Sequence, residues 1–504
     1  MTNVDGLKKN IGISLLPQLI NIVANFILPA LIISEYGSSI NGLVSTIRQI
    51  ISLVSLTGAG IAISATQSLY GPVAQGDVIV VRSILKTTNK MFNHCGIAYL
   101  LGSALVSIVY PLFVDYSEVG YTTITLLVCV MSISGASEFF LVGTCRSLLY
   151  ADQKVYVCTA IQSIALLASF IMTIMSIKLR LNIIITQLAA TMVYVIRAMA
   201  LLLYVQKHYG EFMRYQNAGY KNSLKKSRND AMIHQFSGLA VMGCQSIILT
   251  IFVGLEAASI FAVYNIVFSG LSSICANLNN AVTPYLGKAL ALGDKPIARK
   301  KFDALEFAMN NFTAFIFSVT AVMIIPFVQI YTRNLDIDYI NRQFAVLFLI
   351  FAVLNNIRLP GQSAINAAGH FSETKNRAII EAVTCIFCSV VFTKTIGLCG
   401  VMLGSICALG WRCFDIIFYA NKHVLSTHSK KSFLRVAISF LHIGIVYFLC
   451  SGISERATSI VSWVIVSLIT SAVSIIILAL EDIILQRDSV HGIIQMLKRR
   501  NSAE

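Results

Sequence analysis

The segment KHYGEFMRYQNAGYKNSLKKSRND, residues 207–230, separates two groups of long apolar segments and reveals the organisation of the chain. It contains six Lys or Arg residues and two acidic ones. A polar and basic stretch of this kind is typical of a solvated connection between packed parts. Six apolar segments precede it and eight follow it. The sequence therefore predicts two six-helix lobes joined by a linker, with two further helices at the C-terminal end.

Each of the fourteen apolar segments is long enough to cross a lipid bilayer as an α-helix, which takes roughly 17–25 residues. Apolar residues make up 56% of the chain, charged residues make up 12%, and the mean hydropathy is +0.76. This composition predicts an all-α, polytopic membrane protein and excludes an ordinary soluble domain. The predicted segments are residues 11–33, 39–66, 91–113, 121–145, 155–177, 181–205, 231–254, 257–285, 304–331, 341–365, 376–393, 396–420, 433–453 and 457–480.

The basic residues fall mostly into every second connection between these segments. With the N-terminus in the cytoplasm, 28 of the 38 Lys and Arg residues lie on the cytoplasmic side, 6 lie on the outer side and 4 lie inside segments. This distribution follows the positive-inside rule, so we predict that both termini are cytoplasmic. The net charge of +15 then faces anionic lipid headgroups, and we expect no nucleic-acid partner.

The two lobes are similar to each other at an offset of 217 residues. The loop after the second segment, LYGPVAQGDVIVVR (Leu69–Arg82), aligns with LGKALALGDKPIAR (Leu286–Arg299). In each loop a Gly-Asp pair can end one helix and cap the next. Because six is an even number, both lobes have the same orientation in the membrane. The predicted parts are the lobes at 1–206 and 231–425, the linker at 207–230, two extra helices at 426–486 and a basic cytoplasmic tail at 487–504.

This layout resembles the Wzx-type oligosaccharide flippases of the polysaccharide biosynthesis protein family, in the MOP exporter superfamily. The resemblance covers the whole chain and rests on the six, six and two arrangement, on Ala74–Asp77 and Ala291–Asp294, and on NAAGHFSETK (Asn366–Lys375). It implies a bacterial plasma-membrane protein that moves an undecaprenyl-diphosphate-linked oligosaccharide by alternating access, for O-antigen, capsule or exopolysaccharide synthesis. The implied partners are this lipid-linked oligosaccharide, membrane lipids, a polysaccharide polymerase and a chain-length regulator. No cofactor is implied, and the sequence contains no GxxxxGK[ST] motif for ATP.

Charged side chains inside the apolar segments point to a candidate site, because each costs roughly 2.5–3.5 kcal/mol on insertion scales unless it meets water or a partner. Arg48 is the strongest candidate, and Asn41 precedes it by two turns on the same helical face. Guanidinium groups bind phosphate bidentately, which suits the diphosphate that the resemblance implies. We predict a polar cavity lined by Arg48, Arg197, Arg358, Gln18, Asn21, Asn25, Asn41, Asn265 and Asn355.

Glu138 and Glu381 are, with Asp415, the only carboxylates well inside the predicted segments. Each Glu can couple transport to an ion if it is buried without a partner, or form a salt bridge with an Arg of its lobe. Arg412 and Asp415 are spaced i, i+3 and are expected to pair on one helix. We predict no metal site, because the CxxC pair at Cys385 lies in an apolar helix with no second pair.

Two other transporters and one class of enzyme are the alternatives. A flippase for the lipid-linked peptidoglycan precursor has the same layout and a cationic cavity. A MATE-like drug or cation antiporter typically has an acidic residue in its first segment, whereas residues 10–33 contain no charge here. A membrane polysaccharide polymerase needs an acid/base pair or a nucleophile that faces water, and the short outer loops contain no His and no such arrangement. The sequence therefore favours a transporter over an enzyme.

Overall fold

The computed structural model describes residues 16–55, 58–113, 119–152, 154–212, 237–238, 241–291, 295–333 and 335–487. These residues form helices and connecting turns, and no strand occurs among them. Eleven of the described helices are long and apolar enough to cross a membrane. The first, second and seventh predicted segments correspond to shorter helices that adjoin residues outside the described ranges. The predicted class, an all-α polytopic membrane protein, is confirmed.

The described residues group into two compact units. The first unit contains those up to Ala262 together with Leu335–Ile337, and the second contains the others from Val263 onward. The first unit contains α1 (Leu16–Tyr36), α2 (Ser38–Ser55), α3 (Ala59–Gln75), α4 (Val78–Val109), α5 (Tyr121–Ser137), α6 (Gly143–Ala151), α7 (Val155–Lys178), α8 (Ile183–Tyr209) and α9 (Val241–Phe252). A π-helical turn at Glu138–Val142 joins α5 to α6.

The helix α10 (Leu255–Ala291) begins in the first unit and continues into the second. The second unit further contains α11 (Lys295–Tyr331), α12 (Arg342–Ile357), α13 (Leu359–Ala367), α14 (Phe371–Ile396), α15 (Leu398–Tyr419), α16 (Lys430–Ser454) and α17 (Ile460–Leu485). Arg358 stands at the junction of α12 and α13, where Pro360 occupies the first turn of α13. Proline suits this position because the first helical N–H groups have no partner within the helix.

The first Gly-Asp loop has the predicted geometry. Gly76 ends α3 in the left-handed conformation with φ +70°, and the Asp77 side chain caps α4 by accepting a hydrogen bond from the Val80 N–H at 3.1 Å. Positions 292–294 of the second loop lie outside the described residues. Arg82 and Arg299, which the 217-residue offset aligns, make the same kind of contact in their own units. Arg82 Nε donates to the Glu211 carbonyl at 2.6 Å, and Arg299 Nε donates to the Leu425 carbonyl at 2.7 Å.

The helices α14 and α15 pack unusually closely. A Cβ on Gly404 would lie 2.2 Å from the backbone nitrogen of Ser389, and one on Gly400 would lie 2.1 Å from the Phe392 carbonyl oxygen. Small residues allow helix backbones to approach each other in this way within membranes. The same two helices carry an ion pair about two turns away from these glycines, between Glu381 on α14 and Arg412 on α15.

Candidate functional site

Arg48 lies in the middle of α2 with an exposed side chain. Within the part of the chain that the structure describes, it forms no ion pair and no hydrogen bond. The opposite side of α2 is held by buried hydroxyls, because Thr46 Oγ1 lies 2.7 Å from Ser246 Oγ and 2.8 Å from Thr250 Oγ1. These bonds join α2 to α9. The helix α2 therefore presents an uncompensated cation on its exposed face.

Asn41, which the sequence places on the same face as Arg48, is buried and donates to Ser259 Oγ at 2.8 Å. The cause is a close crossing at the start of α2, where a Cβ on Gly42 would lie 2.0 Å from the Leu255 carbonyl oxygen. The polar stripe of α2 is thus divided. Its first turns pack against α10, and its later turns, with Arg48 and Ser52, are exposed.

The other predicted amides are dispersed. Asn21 and Asn25 are exposed on α1, and the side chain of Gln18 lies outside the described part of the structure. Asn265 is half-buried on α10, without a hydrogen bond to any described residue. Asn355 is the one predicted amide that the structure joins to a predicted arginine among the described residues, because its Oδ1 accepts from Arg358 Nη2 at 2.9 Å.

Glu138 organises a cluster in the first unit, which we call the first-unit cluster: Glu138, Arg146, Gln162 and Arg197. Arg146 Nη1 lies 2.6 Å from Glu138 Oε1, and Arg197 binds the other oxygen, Oε2. Arg197 also donates to the Gln162 side chain. The cluster lines a cavity of about 410 Å³, and Glu138 begins the π-helical turn, a feature frequent at functional sites. Two arginines and one carboxylate leave an excess of one positive charge.

The corresponding group in the second unit, the second-unit cluster, contains Arg358, Arg377, Glu381, Arg412 and Asp415. Arg358 Nη1 lies 2.5 Å from Glu381 Oε1, and Arg412 Nε lies 3.1 Å from Glu381 Oε2. Asp415 binds Arg412 at 2.5 Å and also pairs with Arg377. The predicted pair of Arg412 and Asp415 is confirmed, and Arg412 is only 2% exposed. Three arginines and two carboxylates again leave an excess of one positive charge.

The two glutamates are therefore bound on both oxygens by arginine donors. The structure shows the salt bridges that the sequence offered as one of two roles for these glutamates, and the role in ion coupling stays a prediction. The arginines in turn are held in fixed positions, which pre-organises their remaining N–H groups.

Sequence reasoning missed several charged residues. Arg377 lies at the edge of its predicted segment and was not among the candidate site residues. Its spacing of i, i+4 from Glu381 is the signal in the sequence that the two share a helical face. Glu306 stands near the start of its predicted segment and Glu481 stands just after the end of another, yet both side chains are buried. The helix α11 begins before its apolar segment and α17 continues beyond its own, so the apolar limits were too narrow. Among the described residues, no group of three or more His, Cys, Asp or Glu side chains is arranged to hold a metal ion.

Known protein structures share the fold of this chain. No protein-family model and no curated protein sequence matches the chain. The lipid II flippase MurJ in an inward closed conformation superposes with a TM-score of 0.65 at 15% identity, over 92% of this chain and 98% of MurJ. An inward-facing multidrug resistance MATE family transporter of the MOP superfamily gives 0.64 at 11% identity, over 84% and 98% of the two chains.

A variant of the MATE transporter VcmN from Vibrio cholerae gives a TM-score of 0.56 at 13% identity, over 84% of this chain and 98% of VcmN. Identities this low establish a common fold and leave the cargo open. The helices of this chain therefore have the fold that these MOP-superfamily transporters share.

Proposed function

We propose that this protein is a flippase of the bacterial plasma membrane. It moves an undecaprenyl-diphosphate-linked oligosaccharide repeat unit across the membrane by alternating access, for assembly of a surface polysaccharide. The similarity to transporters of the MOP superfamily supports the transport class. A polysaccharide polymerase and a chain-length regulator would act on the product at the outer face.

Arg48 is the observation that carries the proposal. An arginine in the middle of a membrane helix is costly unless water or an anion compensates it. The exposed Arg48 side chain has no such partner among the described residues. A diphosphate matches this requirement, because its oxygens accept two parallel hydrogen bonds from one guanidinium group. The sugar hydroxyls would be bound by uncharged amides such as the exposed Asn21 and Asn25.

The charge balance of the two clusters favours an anionic cargo. Each cluster holds one more arginine than carboxylate, and Arg48 adds a third excess positive charge. In each unit, an excess positive charge disfavours a cationic drug by electrostatic repulsion. The carboxylates also hold the arginines in place, so that the remaining N–H groups of the arginines can donate to phosphate or to acidic sugars. A MATE-like antiporter of cations is therefore the weaker alternative.

A flippase for the lipid-linked peptidoglycan precursor is the second candidate. One observation favours it: the MurJ structure matches 92% of this chain, whereas the two MATE structures match 84%. That cargo carries the same diphosphate, so Arg48 serves either substrate equally. The two candidates differ only in the sugar portion that the protein accepts.

Complementation in two strains distinguishes these candidates. The gene is expressed in one strain that lacks its surface-polysaccharide flippase and in another whose peptidoglycan-precursor flippase is depleted. We expect restored surface polysaccharide in the first strain and no rescue of growth in the second. Rescue of growth alone would assign the protein to peptidoglycan synthesis. Failure in both strains, with the protein present in the membrane at the level of a functional flippase, would contradict the proposal.

The orientation is tested by cysteine labelling. Single cysteines replace Asn222, Ser502 or Ser117 in a background without other cysteines. A membrane-impermeant maleimide should label position 117 in intact cells, and it should label positions 222 and 502 only after the membrane is opened. Labelling of position 222 in intact cells would reverse the predicted topology.

A further inference from the structure

A third group of ionisable side chains lies outside both clusters, between α11, α16 and α17. We call it the C-terminal polar group: Asp303, Glu306, Lys431, Arg435, His442, Glu481 and Asp482. Arg435 and His442 are each 1% exposed, Glu306 is buried, and Glu481 is 9% exposed. Buried ionisable groups in membrane helices are costly and usually functional. The proposed flippase function assigns no role to this group.

The end of the group near the start of α16 is neutral. Arg435 binds Glu306 at 2.7 Å and Asp303 at 2.8 Å, and Lys431 binds Asp303 at 2.9 Å. The Ser432 hydroxyl donates to Glu306 at 3.0 Å. Two permanent cations therefore compensate two carboxylates. This part of the group is a closed ion-pair network that ties α16 to α11.

The deeper part contains two more carboxylates and no permanent cation among the described residues. His442 Nδ1 lies 2.8 Å from Glu481 Oε2, and His442 Nε2 lies 2.9 Å from Ser474 Oγ. Glu481 Oε1 is buried and has no hydrogen-bond partner within the described structure. Asp482 accepts a hydrogen bond from the Asn311 amide at 2.6 Å and one from Gln486 at 3.3 Å.

The charges of the whole group do not balance without protons. Within the group, Asp303, Glu306, Glu481 and Asp482 stand against two permanent cations, Lys431 and Arg435. Two further cations line the cleft outside the group: Arg299, which binds the Leu425 and Ser426 carbonyls, and the exposed Lys300. With every carboxylate ionised and His442 neutral, the group carries two excess negative charges. Burial of uncompensated charge is strongly unfavourable, and a buried group of this kind neutralises by binding a proton. His442 and Glu481 form the one pair of the group in which an imidazole and a carboxylate share a hydrogen bond.

We propose that His442 and Glu481 together form a proton-binding site that is loaded and emptied during transport, a role that rests on the proposed flippase function. One proton from water binds the Glu481 carboxylate, which becomes a carboxylic acid hydrogen-bonded to the neutral His442 imidazole, and the same proton leaves later. No other bond is made or broken. Glu138 and Glu381 differ from Glu481 in their contacts, because arginines bind both of their oxygens.

The surroundings of the pair allow access from one side. A cleft of about 280 Å³, lined by Asp303, Glu306, Lys431 and Ser432, opens at the end of the group that the sequence predicts to be cytoplasmic. Asp303 is 36% exposed there, and polar side chains continue from Arg435 through Gln486 to Asp482. Toward the opposite end of the three helices, a buried apolar cluster follows: Val322, Met323, Val446, Cys450, Ala457 and Val466. The cleft ends short of His442 and Glu481, and we assign proton access to this chain of polar side chains from the predicted cytoplasmic side.

Infrared difference spectroscopy on the purified full-length protein tests the site directly. A protonated carboxyl group gives a carbonyl band distinct from that of an ionised carboxylate. We expect such a band to appear and disappear between about pH 5 and pH 8, the range in which histidine and shifted carboxyl groups titrate. The Glu481→Gln variant should lose the component of this band that the Asp482→Asn variant keeps, and His442→Gln should move the midpoint of that component.

Two control variants make the spectra decisive. Asp482→Asn removes the adjacent carboxyl group, and Glu256→Gln removes an exposed one near the start of α10. Both should retain the band. Correct folding of each variant is checked by its elution as a single species. A spectrum without a titrating carboxyl band, or a band that is unchanged in Glu481→Gln, would overturn the proton-binding site.

The link to transport has its own test. In the strain lacking its polysaccharide flippase, Glu481→Gln at wild-type abundance should lose most of the restored surface polysaccharide, while Asp482→Asn should retain it. Full activity of Glu481→Gln would show that the site is not coupled to transport. If the wild-type protein itself fails in this strain, the flippase proposal fails, and the infrared result still decides whether the proton site exists.

Discussion

The arginine clusters of the two units and the C-terminal polar group use the same kinds of side chain in opposite proportions. Each cluster has one more arginine than carboxylate, and every glutamate oxygen in it is bound by an arginine. The C-terminal polar group has two more carboxylates than permanent cations, and one oxygen of Glu481 has no partner among the described residues. A surplus of arginine holds fixed positive charge, whereas a surplus of carboxylate favours proton uptake. The difference suggests separate places for binding an anion and for binding a proton.

The first-unit and second-unit clusters have the same net charge, but their charged residues stand at different positions in the two lobes. The 217-residue offset aligns Glu138 with Asn355 and Arg197 with Phe414, so their charged residues are not equivalent in sequence. Even so, both clusters join side chains of the later helices of their units into ion pairs. The shared property is a net positive charge, because each cluster has one more arginine than the carboxylates that bind its arginines. Sequence similarity between the lobes does not reveal it.

Removal of Glu381 should give the largest effect on stability. Glu381→Gln removes the ion-pair partner of Arg358 and one of the two carboxylates that bind the buried Arg412, and breaking a buried pair costs about 3–5 kcal/mol. Glu481→Gln removes a carboxylate without isolating an arginine, so we expect a change of about 1 kcal/mol or less. Thermal unfolding of the purified variants in detergent measures both. Equal losses would refute the distinction between the clusters and the C-terminal polar group.

Removal of Arg48 should affect transport and leave stability nearly unchanged, because Arg48 forms no ion pair and no hydrogen bond with the described residues. A charged hydrogen bond contributes about 1.5–3 kcal/mol, so Arg48→Ala should reduce transport about tenfold or more. Arg48→Lys keeps the charge without the bidentate geometry and should retain an intermediate activity. The readout is surface polysaccharide in the flippase-deficient strain, with membrane abundance measured in parallel. Arg456→Ala, in an exposed turn, is the matched control. Wild-type transport by Arg48→Ala would exclude Arg48 from cargo binding.

The first-unit cluster should tolerate loss of its carboxylate better than the second. The side chains of Glu138 and Arg146 are 29% and 36% exposed, so solvent weakens their attraction. We expect Glu138→Gln to cost about 1 kcal/mol, the upper range for exposed ion pairs. The same unfolding measurement in high salt should reduce this difference further. A loss as large as that of Glu381→Gln would show that the two clusters are equally buried in the membrane.

A carboxylate outside the helices should give the smallest effect and a defined pH dependence. Partial burial opposes ionisation of Asp336, but hydrogen bonds from the Ser38 hydroxyl and backbone N–H outweigh it and lower the Asp336 pKa. Because the folded-state pKa is depressed, the stabilisation is present above the unfolded-state pKa and is lost as the pH falls through the folded-state value. Asp336→Asn should therefore be slightly less stable than wild type at neutral pH and equally stable in acid. A difference that persists in acid would assign the effect to packing.

The sequence by itself determined the membrane class, the succession of helices and the local geometry of a few sites. Apolar length and basic loops depend only on neighbouring residues, and so do the Gly76-Asp77 helix boundary and the pair of Arg412 with Asp415. Only the tertiary structure decided which arginines bind Glu138 and Glu381, because those contacts join helices whose relative positions arise from packing. It also buried Asn41, since α10 crosses α2 at Gly42. The pair of His442 and Glu481 escaped sequence reasoning for a related reason: Glu481 follows the apolar segment, and only the packing of α17 against α16 encloses it.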